Sequence, residues 1–332
     1  MVRIENYDLS GRNTFRMKVK CALFVEYETV GELESIDWDS LPRPVISVGA
    51  GSNLLFAGDF PGTVLHSAIR YIKYVDMGLD SVPVMVGAGV KFDDFVAKAC
   101  ADNLWGVENL SLIPGDVGAA AVQNIGAYGV EAADVIDGVT CYDTVARRMV
   151  KFKAGECGYG YRESLFKKTA GRYVITGVLF RLSRSPKPRL EYKGLSGLVP
   201  KCPQDVRNEV IRIRRSKLPD PEELGSAGSF FKNPMVPPEV YSRIAGEFPD
   251  VPHYATSGGD VKVPAAWLIE NSGMKGRSVG GAAVYGKQPL VIVNASGDAT
   301  PSDVLALEKM IVEAVRSRFG IELHPEVEHI GL

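Results

Sequence analysis

Thiols and imidazoles are scarce in this chain of 332 residues, which has five cysteines (Cys21, Cys100, Cys141, Cys157, Cys202) and four histidines (His66, His253, His324, His329). No two cysteines form a C-x-x-C pair, and no histidine spacing suits a metal. A disulfide framework and a zinc site are therefore not expected, and the thiols read as reduced and mostly buried. Charge of one sign is also missing: 38 Lys plus Arg oppose 40 Asp plus Glu, so no whole-chain footprint for nucleic acid exists. No apolar run approaches the roughly 20 residues needed to cross a bilayer. The stretch Met1-Val-Arg-Ile-Glu-Asn-Tyr7 lacks the apolar core of a signal peptide, so a cytoplasmic location is expected. With 45% hydrophobic and 23% charged residues, the chain has ample apolar surface to bury, which excludes disorder as its main state. At about 150 residues per domain, two or three domains are expected.

Glycine is what the chain has in excess, at 35 residues, much of it clustered. Val45-Ile46-Ser47-Val48 runs into Gly49-Ala50-Gly51-Ser52-Asn53, and Val84-Met85-Val86 runs into Gly87-Ala88-Gly89-Val90. Each reads as a strand entering a tight turn, and the shared V-G-A-G predicts similar strand ends in one sheet. A third small-residue stretch spans Pro114 to Gly129 and reads as a loop carrying Gly115, Gly118, Gly126 and Gly129 with Ala119, Ala120 and Ala121. Such loops let backbone amides approach an anion closely, which suits a diphosphate clasped between two of them. Ordinary turns and close helix–sheet packing also use these residues. A Rossmann reading fails, because Leu54 stands where the third glycine of G-x-G-x-x-G belongs and no helix follows; no G-K-S/T phosphate loop occurs.

Elsewhere the periodicity is plain. Phe92, Phe95, Val96, Ala99 and Cys100 share one helical face. Residues 135–142, 149–153 and 173–182 alternate as strands. A helix is predicted over 205–216, with Val206, Val210 and Ile213 on one side, ended by Leu218-Pro219-Asp220-Pro221. A second helix has Thr300 as N-cap, Pro301 as its first residue and Gly320 as its stop; Val304, Leu307, Ile311 and Val315 face inward. The tail from Leu323 to Glu328 reads as extended. The class is α+β.

Five segments in order then resemble one family: Val48-Gly-Ala-Gly-Ser-Asn-Leu-Leu55, Ile113-Pro-Gly115 through Gln123-Asn-Ile-Gly-Ala-Tyr-Gly129, Gly160-Tyr-Arg-Glu-Ser164, Gly228-Ser-Phe-Phe-Lys-Asn-Pro234 and Pro325-Glu-Val327. Together they are similar to the UDP-N-acetylenolpyruvoylglucosamine reductase family, over roughly residues 13–331. The resemblance implies a two-subdomain FAD-binding module of the vanillyl-alcohol-oxidase-like type plus a C-terminal α+β substrate domain. The implied divisions are 1–66 with the tail 321–332, then 67–217, then 218–320. It implies non-covalent FAD, NADPH as co-substrate, and reduction of an enolpyruvyl nucleotide sugar to UDP-N-acetylmuramate in peptidoglycan precursor synthesis. A monomer without nucleic-acid, membrane or metal partners is expected.

Carried over by motif, FAD contacts fall to Gly49, Ala50, Gly51, Ser52, Asn53 and Leu54, and to Gly115, Gly118, Ala119, Asn124, Gly126 and Ala127. The family often has hydroxyl residues just after Gly118; Ala119, Ala120 and Ala121 leave only backbone contacts there. Ser229 matches the proton donor, and Arg162 the cation for the enolpyruvyl carboxylate. Glu326 matches the acidic partner, with Glu328 on the same face of an extended chain. Tyr161, Tyr192, Lys217, Asn233 and Gln288 match substrate-binding positions; Tyr192 lies in an insertion typical of the tyrosine-loop subtype. Two other classes remain open: an oxidase of alcohols or hydroxy acids, and a non-catalytic nucleotide-binding module. Oxidases of that kind often tether flavin through His or Cys, and neither residue occurs in the two loops.

Overall fold

Phe92, Phe95, Val96, Ala99 and Cys100 are all buried, and they form the inner face of the helix Phe92–Ala101. The computed structural model describes residues 1–75, 78–256 and 258–331. These fall into two compact units. One comprises Met1–Tyr7, Cys21–Ala50 and Pro61–Ser216; the other comprises Asp8–Lys20, Gly51–Phe60 and Lys217–Leu332.

The first unit holds two sheets. A four-stranded sheet runs in the order Val2–Asp8, Lys20–Tyr27, Phe60–Ser67, Val45–Ser47, and its last two strands are parallel. A five-stranded antiparallel sheet runs Arg148–Lys153, Ile136–Asp143, Tyr173–Ser183, Ser81–Gly87, Ile72–Tyr74. Its inner face meets the helix Phe92–Ala101, with Val84, Val86, Val139, Val178 and Phe180 in one buried cluster with Phe92, Phe95 and Val96. The two V-G-A-G segments therefore end strands of different sheets, which corrects the expectation of one sheet. Identical local sequence sets the turn, whereas strand pairing is set by distant partners.

Two further expectations change in extent. The helix predicted over 205–216 spans Pro203–Lys217. Asp205 explains the earlier start: its carboxylate accepts the amides of Lys201 at 2.7 Å and Cys202 at 3.2 Å, while proline needs no amide partner in a first turn. The stretch 114–129 is not all loop. Val117–Gln123 is a short helix, closed by Asn124 in the left-handed region at φ 44°. Alanine is the strongest helix former, and three stand here in a row.

In the second unit, an antiparallel sheet runs Ser226–Ser229, Val291–Asn294, Ala282–Val284, Ser278–Val279. The helix Pro301–Phe319 buries Val304, Leu307, Ile311 and Val315. It starts in a reciprocal cap, Thr300 Oγ1 accepting the Asp303 amide and Asp303 accepting the Thr300 amide, and ends at Gly320 with φ 69°. The tail strand Glu328–Ile330 pairs in parallel with Leu54–Phe56. No described helix is long and apolar enough to cross a membrane. Cys21, Cys100, Cys141 and Cys157 are buried free thiols, and Cys202 is half-buried.

Candidate active site

In the first unit, the strand Val45–Ser47 delivers Val48, whose amide donates to Leu65 O at 2.8 Å, and the chain then turns at Gly49 and Ala50. A Cβ on Gly49 would lie 2.9 Å from Asp116 Oδ2 and 3.4 Å from the Ala119 Cβ. Glycine at 49 thus lets this turn press against the start of the helix Val117–Gln123, and the two small-residue segments lie side by side. The amides of Gly49, Ala50 and Gly51 have no acceptor among the described residues. Consecutive backbone N–H groups of this kind form a nest suited to a diphosphate. The sequence and the geometry fit FAD here, in that these amides make no hydrogen bond within the described protein. Gly118 acts otherwise. Its amide is spent on Ala88 O at 3.0 Å, and its missing side chain admits the Ala88 Cβ, 3.0 Å from where a Cβ would stand.

Asn124 is wholly buried and its side chain is fully used by the protein. Oδ1 accepts the Ala133 amide at 2.9 Å, while Nδ2 donates to Glu131 Oε2 at 2.8 Å and Gly160 O at 2.9 Å. The side chain ties the Gly160 turn to the end of the short helix, and nothing of it is left for a cofactor. On that turn Gly160 and Glu163 exchange both backbone hydrogen bonds, and Arg162 sits at φ 57°. Its guanidinium donates from Nη2 to Gly126 O at 2.8 Å and from Nη1 to Asn124 O at 3.4 Å, and lies over the Tyr161 ring at 5.2 Å. A Cβ on Gly126 would stand 3.1 Å from Arg162 Nη1. Arg162 and Gly126–Ala127, singled out separately in the sequence, are neighbours.

Tyr192 is exposed at 37%, and its ring meets Tyr128 edge-on at a centroid distance of 4.9 Å. Of the basic run on the helix Pro203–Lys217, Arg212 pairs outward with Glu209 at 2.6 Å. Arg214 instead has its Nε buried, and its side chain interacts with Tyr128; burial pulls the guanidinium pKa down and pushes the Tyr128 hydroxyl up. The sequence shows Tyr128 in the small-residue stretch and Arg214 in a basic run, but gives neither a role in the site. The visible signal was an aromatic residue held between Gly126 and Gly129.

The second unit carries the remaining groups. Ser226–Ser229 pairs with Val291–Asn294 through a register shift, with Gly228 at φ 70°; such a bulge re-aims the next side chain, here the half-buried Ser229. The chain then lies antiparallel to the tail. Lys232 N donates to His324 O at 2.9 Å, Phe231 faces Pro325, and Glu326 N donates to Phe230 O at 2.8 Å. Asn53 straddles the same place, its Nδ2 donating to Glu326 O at 3.0 Å and its carbonyl accepting the Glu328 amide at 3.0 Å. Glu326 and Glu328 are both half-buried, on either side of the buried Val327. Gln288 shapes the turn before Val291, the partner of Ser229, and Asn233 Oδ1 accepts the Ala265 amide at 2.9 Å. Lys217, at the end of its helix, is exposed.

Residues 220–330 match the family model for the C-terminal domain of UDP-N-acetylenolpyruvoylglucosamine reductase, and residues 34–147 match an FAD-binding domain. The reductase of Bacteroides fragilis strain YCH46 is 45% identical, with 98% of this chain and 99% of that protein aligned. That of Porphyromonas gingivalis strain W83 is 44% identical over 98% of each. Among solved structures, UDP-N-acetylenolpyruvylglucosamine reductase from Thermus caldophilus superposes with a TM-score of 0.69 at 26% identity, covering 99% of this chain and 98% of that one.

Proposed function

The chain belongs to the UDP-N-acetylenolpyruvoylglucosamine reductase family, and from that premise we propose that it reduces the enolpyruvyl group of UDP-N-acetylglucosamine enolpyruvate to UDP-N-acetylmuramate, with NADPH as the electron source. It is an FAD oxidoreductase. The amides of Gly49, Ala50 and Gly51, with the small residues Gly115, Ala119, Gly126 and Ala127 beside them, would hold the cofactor without a covalent link. Bound there, FAD supplies the hydride for the β-carbon of the enol ether. On the same reading, residues 1–66 with 321–332 and residues 67–217 serve the cofactor, and residues 218–320 the substrate.

Hydride addition leaves negative charge at the α-carbon and its carboxylate, and the chain must answer it in three ways. The Ser229 hydroxyl gives its proton to the α-carbon. The Arg162 guanidinium offers a planar fork to the carboxylate and keeps its charge at any working pH. Glu326 is the acidic partner of the developing enolate. Tyr161, Tyr192, Lys217, Asn233 and Gln288 bind the nucleotide sugar. With Oδ1 of Asn233 committed to Ala265, its Nδ2 is the group that faces a ligand oxygen.

One observation carries the assignment of donor and acid. Ser229 directly precedes Phe230, whose carbonyl holds the Glu326 amide, while Asn53 of the glycine turn holds the Glu326 carbonyl. The residue after Ser229 is thus tied to Glu326 through main chain, and Glu326 to Asn53 through the Asn53 side chain. Stopped-flow measurement of the two half-reactions tests it. Ser229→Ala should leave flavin reduction by NADPH nearly unchanged and slow reoxidation by the enolpyruvyl nucleotide at least about a hundredfold. Equal speed in both halves removes Ser229 from the mechanism. A colourless protein that takes up no flavin removes the whole reading.

A further inference from the structure

Asn13-Thr14-Phe15 touches the glycine turn on one side and the Ser229 strand on the other, yet belongs to neither. Asn13 is buried and braces its own loop: Nδ2 donates to Leu9 O at 2.7 Å and to Met17 O at 3.1 Å, and Oδ1 accepts the Met17 amide at 2.8 Å. The three side-chain hydrogen bonds of Asn13, all made inside residues 9–17, brace this loop. Two glycines admit it. Gly51 has φ 63°, and a Cβ there would collide with the Arg12 carbonyl and lie 2.8 Å from the Asn13 Cα. A Cβ on Gly225 would lie 2.5 Å from the Phe15 carbonyl oxygen.

Thr14 closes the connection between them. Its amide donates to Gly51 O at 3.3 Å, its carbonyl accepts the Ser226 amide at 2.9 Å, and its hydroxyl donates to Ser226 O at 2.6 Å. The Phe15 ring meets Phe230 edge-on at 6.3 Å, at the far end of the same strand. The strand that ends at Ser229 is therefore held by this loop both three residues before the serine and one residue after it.

We propose that Thr14 is a positioning residue that fixes the height of the Ser229 hydroxyl relative to the Gly51–Asn53 segment. The proposal rests on the reading of Ser229 as proton donor. A serine hydroxyl is a weak acid, so it works only when placed against the carbon it protonates, and a displacement of about 1 Å costs up to a hundredfold in rate. The backbone bonds at Thr14 remain in a valine or serine variant, whereas the hydroxyl bond to Ser226 O at 2.6 Å, with a longer contact to Gly51 O at 3.5 Å, is the part the side chain controls. Thr14→Val keeps the shape and removes that bond; Thr14→Ser keeps the bond.

The test uses the full-length flavoprotein and its apoprotein. Thr14→Val should slow flavin reoxidation by the enolpyruvyl nucleotide about tenfold, leave reduction by NADPH within about twofold, and weaken FAD binding to the apoprotein several-fold. Thr14→Ser should restore all three. A folded Thr14→Val protein with the wild-type ratio of half-reactions and wild-type FAD affinity overturns the proposal. Ser229→Ala, run alongside, separates the two ideas, because failure of that variant to slow reoxidation condemns the donor assignment rather than the clasp. A wild-type measurement stands whether or not the valine variant folds. FAD added to apoprotein should slow hydrogen exchange at the Ser226 amide about tenfold, and unchanged exchange there also overturns the proposal.

Discussion

Asp93 and Arg207 form a two-armed ion pair, with Arg207 Nη1 2.5 Å from Oδ1 and Nη2 2.9 Å from Oδ2. It joins the helix Phe92–Ala101 to the helix Pro203–Lys217, and Oδ1 also accepts the Leu112 amide at 2.5 Å. Leu112 sits at φ 59°, a conformation that side chains with a Cβ avoid, just before Ile113-Pro114-Gly115. One carboxylate thus fixes a helix pair and a strained residue that opens the second small-residue segment. Arg207→Met leaves Asp93 without its partner in a site that is mostly out of water. The expected loss is about 3 kcal/mol, the lower end for a broken buried pair. In thermal unfolding it reads as a Tm drop of roughly 6–10 °C; a drop under about 2 °C contradicts the role given to the pair.

The same carboxylate sets a pH dependence. Burial opposes ionisation of Asp93, but the hydrogen bonds from Arg207 and Leu112 outweigh it and hold the pKa below the ordinary aspartate value. A depressed folded-state pKa means that the stabilisation is complete above the unfolded pKa of about 4 and is lost as pH falls through the folded value. Wild type should therefore lose stability below pH ~4 more steeply than Asp93→Asn, which has no proton to gain there. Urea midpoints taken from pH 7 downward check this; parallel curves for the two proteins would rule it out.

How much of this was legible beforehand depended on range. Residues that act on their own neighbourhood could be read directly: the face Phe92, Phe95, Val96, Ala99, Cys100, and the helix bounded by Thr300, Pro301 and Gly320. Leu112 and Asn124 could not, because their left-handed conformations are imposed by Asp93, Ala133 and Gly160 from elsewhere in the chain. Thr14 was silent for the same reason, since its partners are 37 and 212 residues away. The V-G-A-G pair misled because a shared turn says nothing about which strand lies alongside. Ser229, Arg162 and Glu326 came from family resemblance; no periodicity singles out a hydroxyl, a guanidinium and a carboxyl spread over 165 positions.

Gly51 admits a direct test of the cofactor turn. An alanine there must hold φ 63° and push its methyl into the Arg12 carbonyl. The conformation alone costs about 1–2 kcal/mol, and relief of the clash must move either Asn13 or the turn itself. Gly51→Ala should bind FAD at least about tenfold more weakly in fluorescence titration of the apoprotein, a change equal to about 1.4 kcal/mol. Gly228, with φ 70° but open space around its Cβ position, provides the control. Gly228→Ala carries the strain without the clash and should leave FAD affinity within about threefold.

Arg162 and Gly126 set the last expectation. The guanidinium donates from Nη2 to Gly126 O at 2.8 Å and from Nη1 to Asn124 O at 3.4 Å. These two bonds fix the plane of the guanidinium beside the Gly126 segment. Arg162→Lys retains the positive charge but has a single point of donation, so it cannot hold Gly126 and clasp a carboxylate in the same way. If the role is carboxylate binding, kcat/KM for the enolpyruvyl nucleotide should fall about a hundredfold, with FAD content and the rate of flavin reduction by NADPH unchanged. Added guanidinium ion should not restore an arginine-to-lysine change, but it should partly rescue Arg162→Ala, where a cavity of the right shape remains. Loss of FAD from either variant would instead make Arg162 a brace of the Gly126 segment, and its charge incidental to the chemistry.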